Sequence, residues 1–384
     1  MAVSAKNDCW TVGVLFSETG VTGAVERTQR AATFLAIDEI NAAGGVRGLP
    51  IRPVAYDPQS DPDVYRDLAK RLCDVDEVSV IFGCHMSSSR KAVLPVMEAK
   101  GALLFYPTLY EGFEYSRNCI YTGAAPNQNS VQLVNFLTSN YGNRVFLVGS
   151  NYVYPYESNR TIAELFLRTG GSVVDEMYVP LALDNADISR IIERIAASKP
   201  DVVYSTVVGS GIVPFFNAFR SAGFDPKHLP IASQSTSEAD FSQMEPSVAE
   251  GHVTAAPFFS TLKRPQAEEF VRKYRRSFGP AAMPTAPSEA AYFQVHLFAA
   301  ALEKAGSTGL SELSSALSTV EFEAPQGLVQ IDGATNHTHL WPRVARINAA
   351  GHYDIVYDPS LRVAPDPYLL EYAADVFQPT VTVA

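Results

Sequence analysis

The sequence predicts an α/β protein made of two doubly wound parallel-sheet lobes joined by crossover hinge strands. Three observations predict it. Short apolar runs alternate with longer amphipathic runs; the alternation stops and restarts once, near residues 120 to 126; and 384 residues at 47 % hydrophobic and 18 % charged make a globular composition. A chain of this length buries about 75 % of its surface on folding and carries a prior of two to three domains.

The first series opens with the strand TVGVLF (11–16) and an amphipathic helix over 25–43, closed by Gly44 and Gly45 as a helix stop signal. The strand IRPVAYD leads to the helix DVYRDLAKRLCDV, VSVIFG leads to SSRKAVLPVMEAK, and ALLFY ends the series. Each strand is short and apolar, as strands covered on both faces are. NCIYTGAAPNQNS is a transition. The second series then runs QLVNFLTSNYG (helix), NRVFLVGS (strand), SNRTIAELFLRTGG (helix), SVVDEMYVP (strand), ISRIIERIAASKP (helix), DVVYSTVVG (strand), VPFFNAFRSAG (helix) and LPIAS (strand). Late strands such as LVQI and DIVY must join one of these sheets, because alone they make no core. Returns near residues 252 and 325 place 10–122 with 255–325 in an N-terminal lobe and 123–254 with 326–360 in a C-terminal lobe. Pro365, Pro367 and Pro379 mark 361–384 as an extended tail.

Thirty Lys and Arg against 41 Asp and Glu give a net charge of −11, which argues against direct nucleic-acid binding and against docking on anionic membrane. Arg272, Lys273, Arg275 and Arg276 follow Glu268 and Glu269 and read as a solvated helix face. No apolar run approaches the ~18 residues of a membrane span. The N-terminus shows no leader, so the expected location is cytoplasmic. Cys9, Cys73, Cys84 and Cys119 lack metal or disulfide spacing, and His337 and His339 in NHTH lack a third ligand and read as a polar turn.

Ligands of open parallel sheets bind beyond the carboxyl ends of the strands. The strand-end segments here, among them GCHMSSSR (83–90), YPTLYEG (106–112), GSNYVYPYESN (149–159) and ASQSTSEA (232–239), are rich in Ser, Thr and Tyr and poor in acid and base groups. No nucleophile elbow, dinucleotide fingerprint or phosphate loop occurs, so neither catalysis nor a cofactor or metal is expected. His85 beside Ser87 is too close in sequence for a base and nucleophile pair and reads as a hydrogen-bonding or space-filling group. Ser87 is either an N-cap or a ligand contact. Tyr152 and Tyr154, alternating about Val153, would turn both phenols to one wall if the loop is extended.

The strings LFSETGVTG (15–23), RKAVLPV (90–96), LLFYPTLYEGFEYS (103–116), APNQNS (125–130), YPYESN (154–159), STVVG (205–209), TSEA (236–239) and APQG (324–327) resemble those of the type I periplasmic-binding-protein fold. Within it they resemble the cytoplasmic aliphatic-amide sensors that regulate amidase expression. Related receptors take urea and short amides, and related regulators control nitrile hydratase genes. The resemblance implies two lobes closing over a small neutral amide or urea held by Ser87, Tyr106, Thr108, Tyr152 and Tyr154, with Ser235 a further contact. His85 stands at a seventh position of that site; the amidase sensor has Tyr there and Thr in place of Ser235. A neutral ligand also suits the chemistry, since an amide offers one acceptor and an NH₂ donor pair. The charged strand-end residues Glu18, Arg90, Glu111, Glu157 and Glu238 lie outside the Ser/Tyr core of these strings. The resemblance further implies a regulatory partner of the antiterminator kind and allows a homo-oligomer. The alternative is a substrate-binding receptor of an ABC transporter for urea or short amides.

Overall fold

The computed structural model describes residues 8–369, in which the chain crosses between two sheets three times. The first passage builds β1 (Trp10–Leu15), α1 (Gly23–Ala42), β2 (Ile51–Tyr56), α2 (Pro62–Asp74), β3 (Val80–Gly83), α3 (Ser87–Lys100), β4 (Leu103–Tyr106) and β5 (Cys119–Tyr121). The second builds α4 (Pro126–Asn140), β6 (Arg144–Ser150), α5 (Val153–Arg168), β7 (Ser172–Val179), α6 (Asn185–Ser198), β8 (Val202–Thr206), α7 (Ile212–Ser221) and β9 (Ile231–Ser233). It ends in the one-turn helices α8 (Glu238–Phe241) and α9 (Pro246–Ala249) and in β10 (Val253–Ala256). The chain then returns as α10 (Pro265–Phe278), α11 (Ala286–Ala305), α12 (Leu310–Leu317), β11 (Glu321–Ala324), β12 (Gly327–Asp332) and β13 (His337–His339). It crosses back for β14 (Arg343–Ile347) and β15 (Tyr353–Tyr357).

The sheet orders are β11-β12-β13-β5-β4-β3-β1-β2 and β15-β14-β10-β9-β8-β6-β7. Both are parallel through the alternating series; β13 joins the first sheet parallel to β5, and the remaining late strands add antiparallel at one edge. The central strands β3 and β4 are buried at every residue because helices cover both faces. Helix starts and stops follow local chemistry. Asp61 accepts from the N–H groups of Asp63 and Val64 ahead of α2, with Pro62 at its first position, and Gly101 closes α3 in the left-handed conformation.

Three expectations are corrected. The transition segment contains β5, since the pair Leu104 and Cys119 extends the first sheet. Residues 326–339 belong to the first sheet and not to the C-terminal lobe, because β12 pairs with β11 and β13 lies parallel to β5; β10 keeps residues 255 and 256 in the second sheet. His337 and His339 lie in strand β13 and not in the turn, which ends at Asn336. There the His337 ring is buried, stacked 4.2 Å from Tyr121 and 5.5 Å from Tyr110.

At the crossings, the buried Arg343 guanidinium donates to the carbonyls of Pro257 (2.6 Å), Gln326 (3.1 Å) and Trp341 (3.2 Å) and pairs with Asp358 (2.8 Å). The start of the expected extended tail is tied to the body of the protein. Val363 pairs with Leu340, and Phe113 N–H donates to the Pro367 carbonyl at 2.9 Å. Residues 370–384 of that tail lie outside the described residues.

Candidate functional site

The strand ends of both sheets meet at one cavity of about 40 Å³. From the first lobe come His85 between β3 and α3, Ser87 at the start of α3, Thr108 and Leu109 after β4, and Ala286 and Pro287 at the start of α11. From the second come Tyr152 and Tyr154, Val208, residues 234–238, Thr254 and Ala256 on β10, and Tyr353 on β15. Phe258 and Phe259 line it from the crossing between them. Six of the seven expected residues are therefore brought together: His85, Ser87, Thr108, Tyr152, Tyr154 and Ser235. Tyr106 is not among the lining residues. It is fully buried in its sheet, and its hydroxyl donates to the His85 carbonyl at 2.6 Å, because the alternation of β4 turns it toward the Arg90 side of the sheet.

The turn into α3 positions the polar end. Cys84 takes φ 68°, uncommon for a non-glycine residue, and Met86 is the N-cap, so Ser87 is the first helical residue and does not cap. Its hydroxyl donates to Glu111. Below it, Arg90 is fully buried and pairs with Glu111 (2.9 Å) and Glu114 (2.7 Å) while lying 4.7 Å over the rings of both Tyr106 and Tyr110. Burial alone would raise the Glu114 pKa. The Arg90 guanidinium, helped by Lys91, outweighs it and holds the carboxyl down to about 2. Sequence reasoning set Arg90 and Glu111 apart from the serine and tyrosine core; the structure makes them its foundation.

The His85 imidazole is partly exposed at the cavity, and desolvation lowers its pKa to about 4, which leaves it neutral at pH 7. The tyrosine wall forms differently from the expected extended loop. Tyr152 is the N-cap of α5 in an extended conformation and Tyr154 lies in its first turn, yet their rings sit 6.4 Å apart at 40°. The Tyr154 hydroxyl is buried and forms no hydrogen bond of standard geometry. On the opposite loop, Ser233 Oγ accepts from the N–H groups of Ser235 and Thr236, which shapes the turn after β9.

Glu238 corrects the expectation of a core without charge. It lines the cavity, accepts from Ser260 N–H at 2.8 Å, and is raised by desolvation to about 7 against these hydrogen bonds. No lysine or arginine lines the cavity among the described residues. Gln29, Phe258, Phe259 and Tyr353 went unremarked in the sequence because each stands inside a helix, a crossing or a late strand, away from the strand-end loops.

The Glu238 shift has a definite sign. A carboxyl whose folded pKa exceeds its unfolded value stabilises the fold below the unfolded value and loses that contribution as pH rises. Here the window runs from 4.5 to about 7. Relative to Glu238→Gln, the native protein should lose up to about 3 kcal/mol of stability across it, as read by urea unfolding at a series of pH values. A difference that is flat, or rises with pH, refutes the assignment.

A family model described as a periplasmic binding protein domain matches residues 10–374. Among curated relatives, Leu/Ile/Val-binding protein homolog 6 of Brucella melitensis is 23 % identical over 288 residues, 73 % of each chain. The leucine-, isoleucine-, valine-, threonine- and alanine-binding protein of Pseudomonas aeruginosa is 23 % identical over 319 residues, 81 % of this chain and 83 % of that one. A solute binding protein of an ABC transporter from Rhodopseudomonas palustris BisB5, solved with 3,4-dihydroxybenzoic acid, superposes with a TM-score of 0.81 at 23 % identity, covering 88 % of this chain and 93 % of that one. The branched-chain amino acid binding protein LivJ of Streptococcus pneumoniae, solved with isoleucine, gives a TM-score of 0.80 at 20 % identity, covering 92 % and 100 %. Among the described residues no helix is long and apolar enough to cross a membrane.

Proposed function

Because the chain belongs to the periplasmic binding protein family, whose members are non-enzymatic binding proteins, we propose that it is a receptor closing its two lobes over a small neutral amide or urea. The observation that carries this reading is the cavity itself. At about 40 Å³ it has room for about three water molecules, which is closer to urea or acetamide than to larger ligands. Its polar groups are hydroxyls, side-chain amide and neutral imidazole, with one carboxyl near neutrality. The branched-chain amino acids and benzoates of the relatives are roughly twice that size or more, and a carboxylate would meet no cationic side chain on the cavity wall.

Of the relatives, the Rhodopseudomonas palustris protein is a solute binding protein of an ABC transporter and LivJ is the substrate binding protein of a branched-chain amino acid transporter. This favours delivery of the ligand to such a transporter as the output. A second reading, a cytoplasmic sensor that holds a regulatory protein of the antiterminator kind, is favoured by the strings shared with the amide sensors, which include the cavity-lining loops at Thr108, Tyr154 and 236–238. Purification from the native host with and without propionamide separates them: co-purifying permease subunits support transport, and a soluble regulatory protein supports sensing.

The ligand class is tested by thermal melting with urea, acetamide, propionamide, leucine and benzoate. A ligand taken only by the folded state adds about 2.7 kcal/mol at one hundred times its Kd, so urea or a short amide should raise the midpoint. Stabilisation by leucine or benzoate alone overturns the reading. In the same assay Tyr154→Phe should change the stability of the free protein little, since the hydroxyl makes no hydrogen bond of standard geometry there. It should weaken amide binding by roughly 5-fold to 150-fold, the cost of leaving the bound amide one partner short.

A further inference from the structure

We infer that Gln29, a fully buried residue of α1, sets the hydrogen-bond polarity of the site by holding His85 in the Nδ1–H form and Thr108 as a donor, so that the cavity selects an amide over the isosteric carboxylate. The inference rests on the amide reading and adds to it the residue that enforces it. Gln29 Oε1 lies 2.9 Å from His85 Nδ1, and Gln29 Nε2 donates to Thr108 Oγ1 at 3.0 Å. Thr108 Oγ1 also stands 3.3 Å from His85 Nδ1, closing a three-membered cluster. All three groups are drawn from different elements, and Gln29 has no access to solvent.

With the carboxamide in this orientation the polarity of each partner follows. An amide oxygen only accepts, so the His85 nitrogen facing it carries the proton, and a neutral imidazole then has its lone pair on Nε2. Among the described residues no hydrogen bond runs through Nε2, and His85 lines the cavity. Thr108 Oγ1 accepts from Gln29, which leaves its O–H to point at a ligand acceptor. The site thus offers an acceptor at His85 and a donor at Thr108. The NH₂ and C=O of an amide or urea complement both. A carboxylate brings two acceptors and sets one of them against the His85 lone pair. A tyrosine at position 85, as in the amide sensors, could donate or accept and would not enforce this choice.

The test has a readout independent of any ligand. In protein labelled with ¹⁵N-histidine, correlations from the ring nitrogens to the carbon-bound protons identify which nitrogen is protonated; Nδ1–H for His85 is expected, and Nε2–H overturns the inference. Binding is then compared for propionamide and propionate by calorimetry. In Gln29→Glu the carboxylate draws a second proton onto His85 and takes the Thr108 O–H, reversing both polarities. Propionamide should weaken by roughly 5-fold to 150-fold and propionate should gain relative to it. Equal effects on both ligands would reduce Gln29 to a structural role and refute the proposal. Failure of the native protein to bind any amide, with Nδ1–H still observed, would instead count against the amide reading alone.

Discussion

Replacing Arg90 with methionine is expected to destabilise the protein by about 3 to 5 kcal/mol, the cost of removing one partner from a buried ion pair, against a total of about 5–15 kcal/mol for a typical fold. Arg90 is fully buried, satisfies Glu111 and Glu114, donates to Ser87 Oγ at 3.3 Å and spans two tyrosine rings. Without it two carboxylates face each other in a dry site with only the half-exposed Lys91 to neutralise them. Urea unfolding measures the loss, and adding Glu111→Gln and Glu114→Gln to Arg90→Met should recover part of it by removing the stranded charges. A single-variant loss under about 1 kcal/mol would show that water or rearrangement replaces the guanidinium.

The second large effect is expected from Gly209→Ala. Gly209 stands in the second lobe at φ 64°, and a Cβ there would lie 2.4 Å from the Val21 carbonyl oxygen of the first lobe. That contact spans the two lobes in the arrangement described, so an opening that parts Gly209 from Val21 relieves it, and the added methyl is expected to penalise this arrangement beyond the left-handed strain. Overpacking of this kind costs about 1 to 3 kcal/mol, which becomes a roughly 5-fold to 150-fold loss of ligand affinity because the ligand draws on the closed state. Gly223→Ala is the matched control, since its φ is 83° and a Cβ there would meet nothing within 4 Å. It should cost stability alone. Equal affinity in the two variants would mean that binding does not require the lobes to meet at Val21.

Much of the molecule was written locally. The apolar runs at β1, β3, β4, β6 and β8 announced buried parallel strands, and the hydroxyl-rich loops that follow them supplied Ser87, Thr108, Tyr152, Tyr154 and Ser235 to one cavity. Period and punctuation are properties of a few consecutive residues, and they fix strand, helix and loop before any long-range contact forms.

What the sequence by itself determined, then, is the two-series α/β architecture and the chemical character of the loops at its strand ends. Only the tertiary structure decided which sheet the late strands join, that Tyr106 turns from the cavity to its own sheet, and that Glu238 and Gln29 reach the site. The physical reason is range. Gln29 meets His85 across 56 positions and Thr108 across 79, and such pairings are set by the packing of a helix on a sheet, which no local pattern of apolar and polar residues encodes.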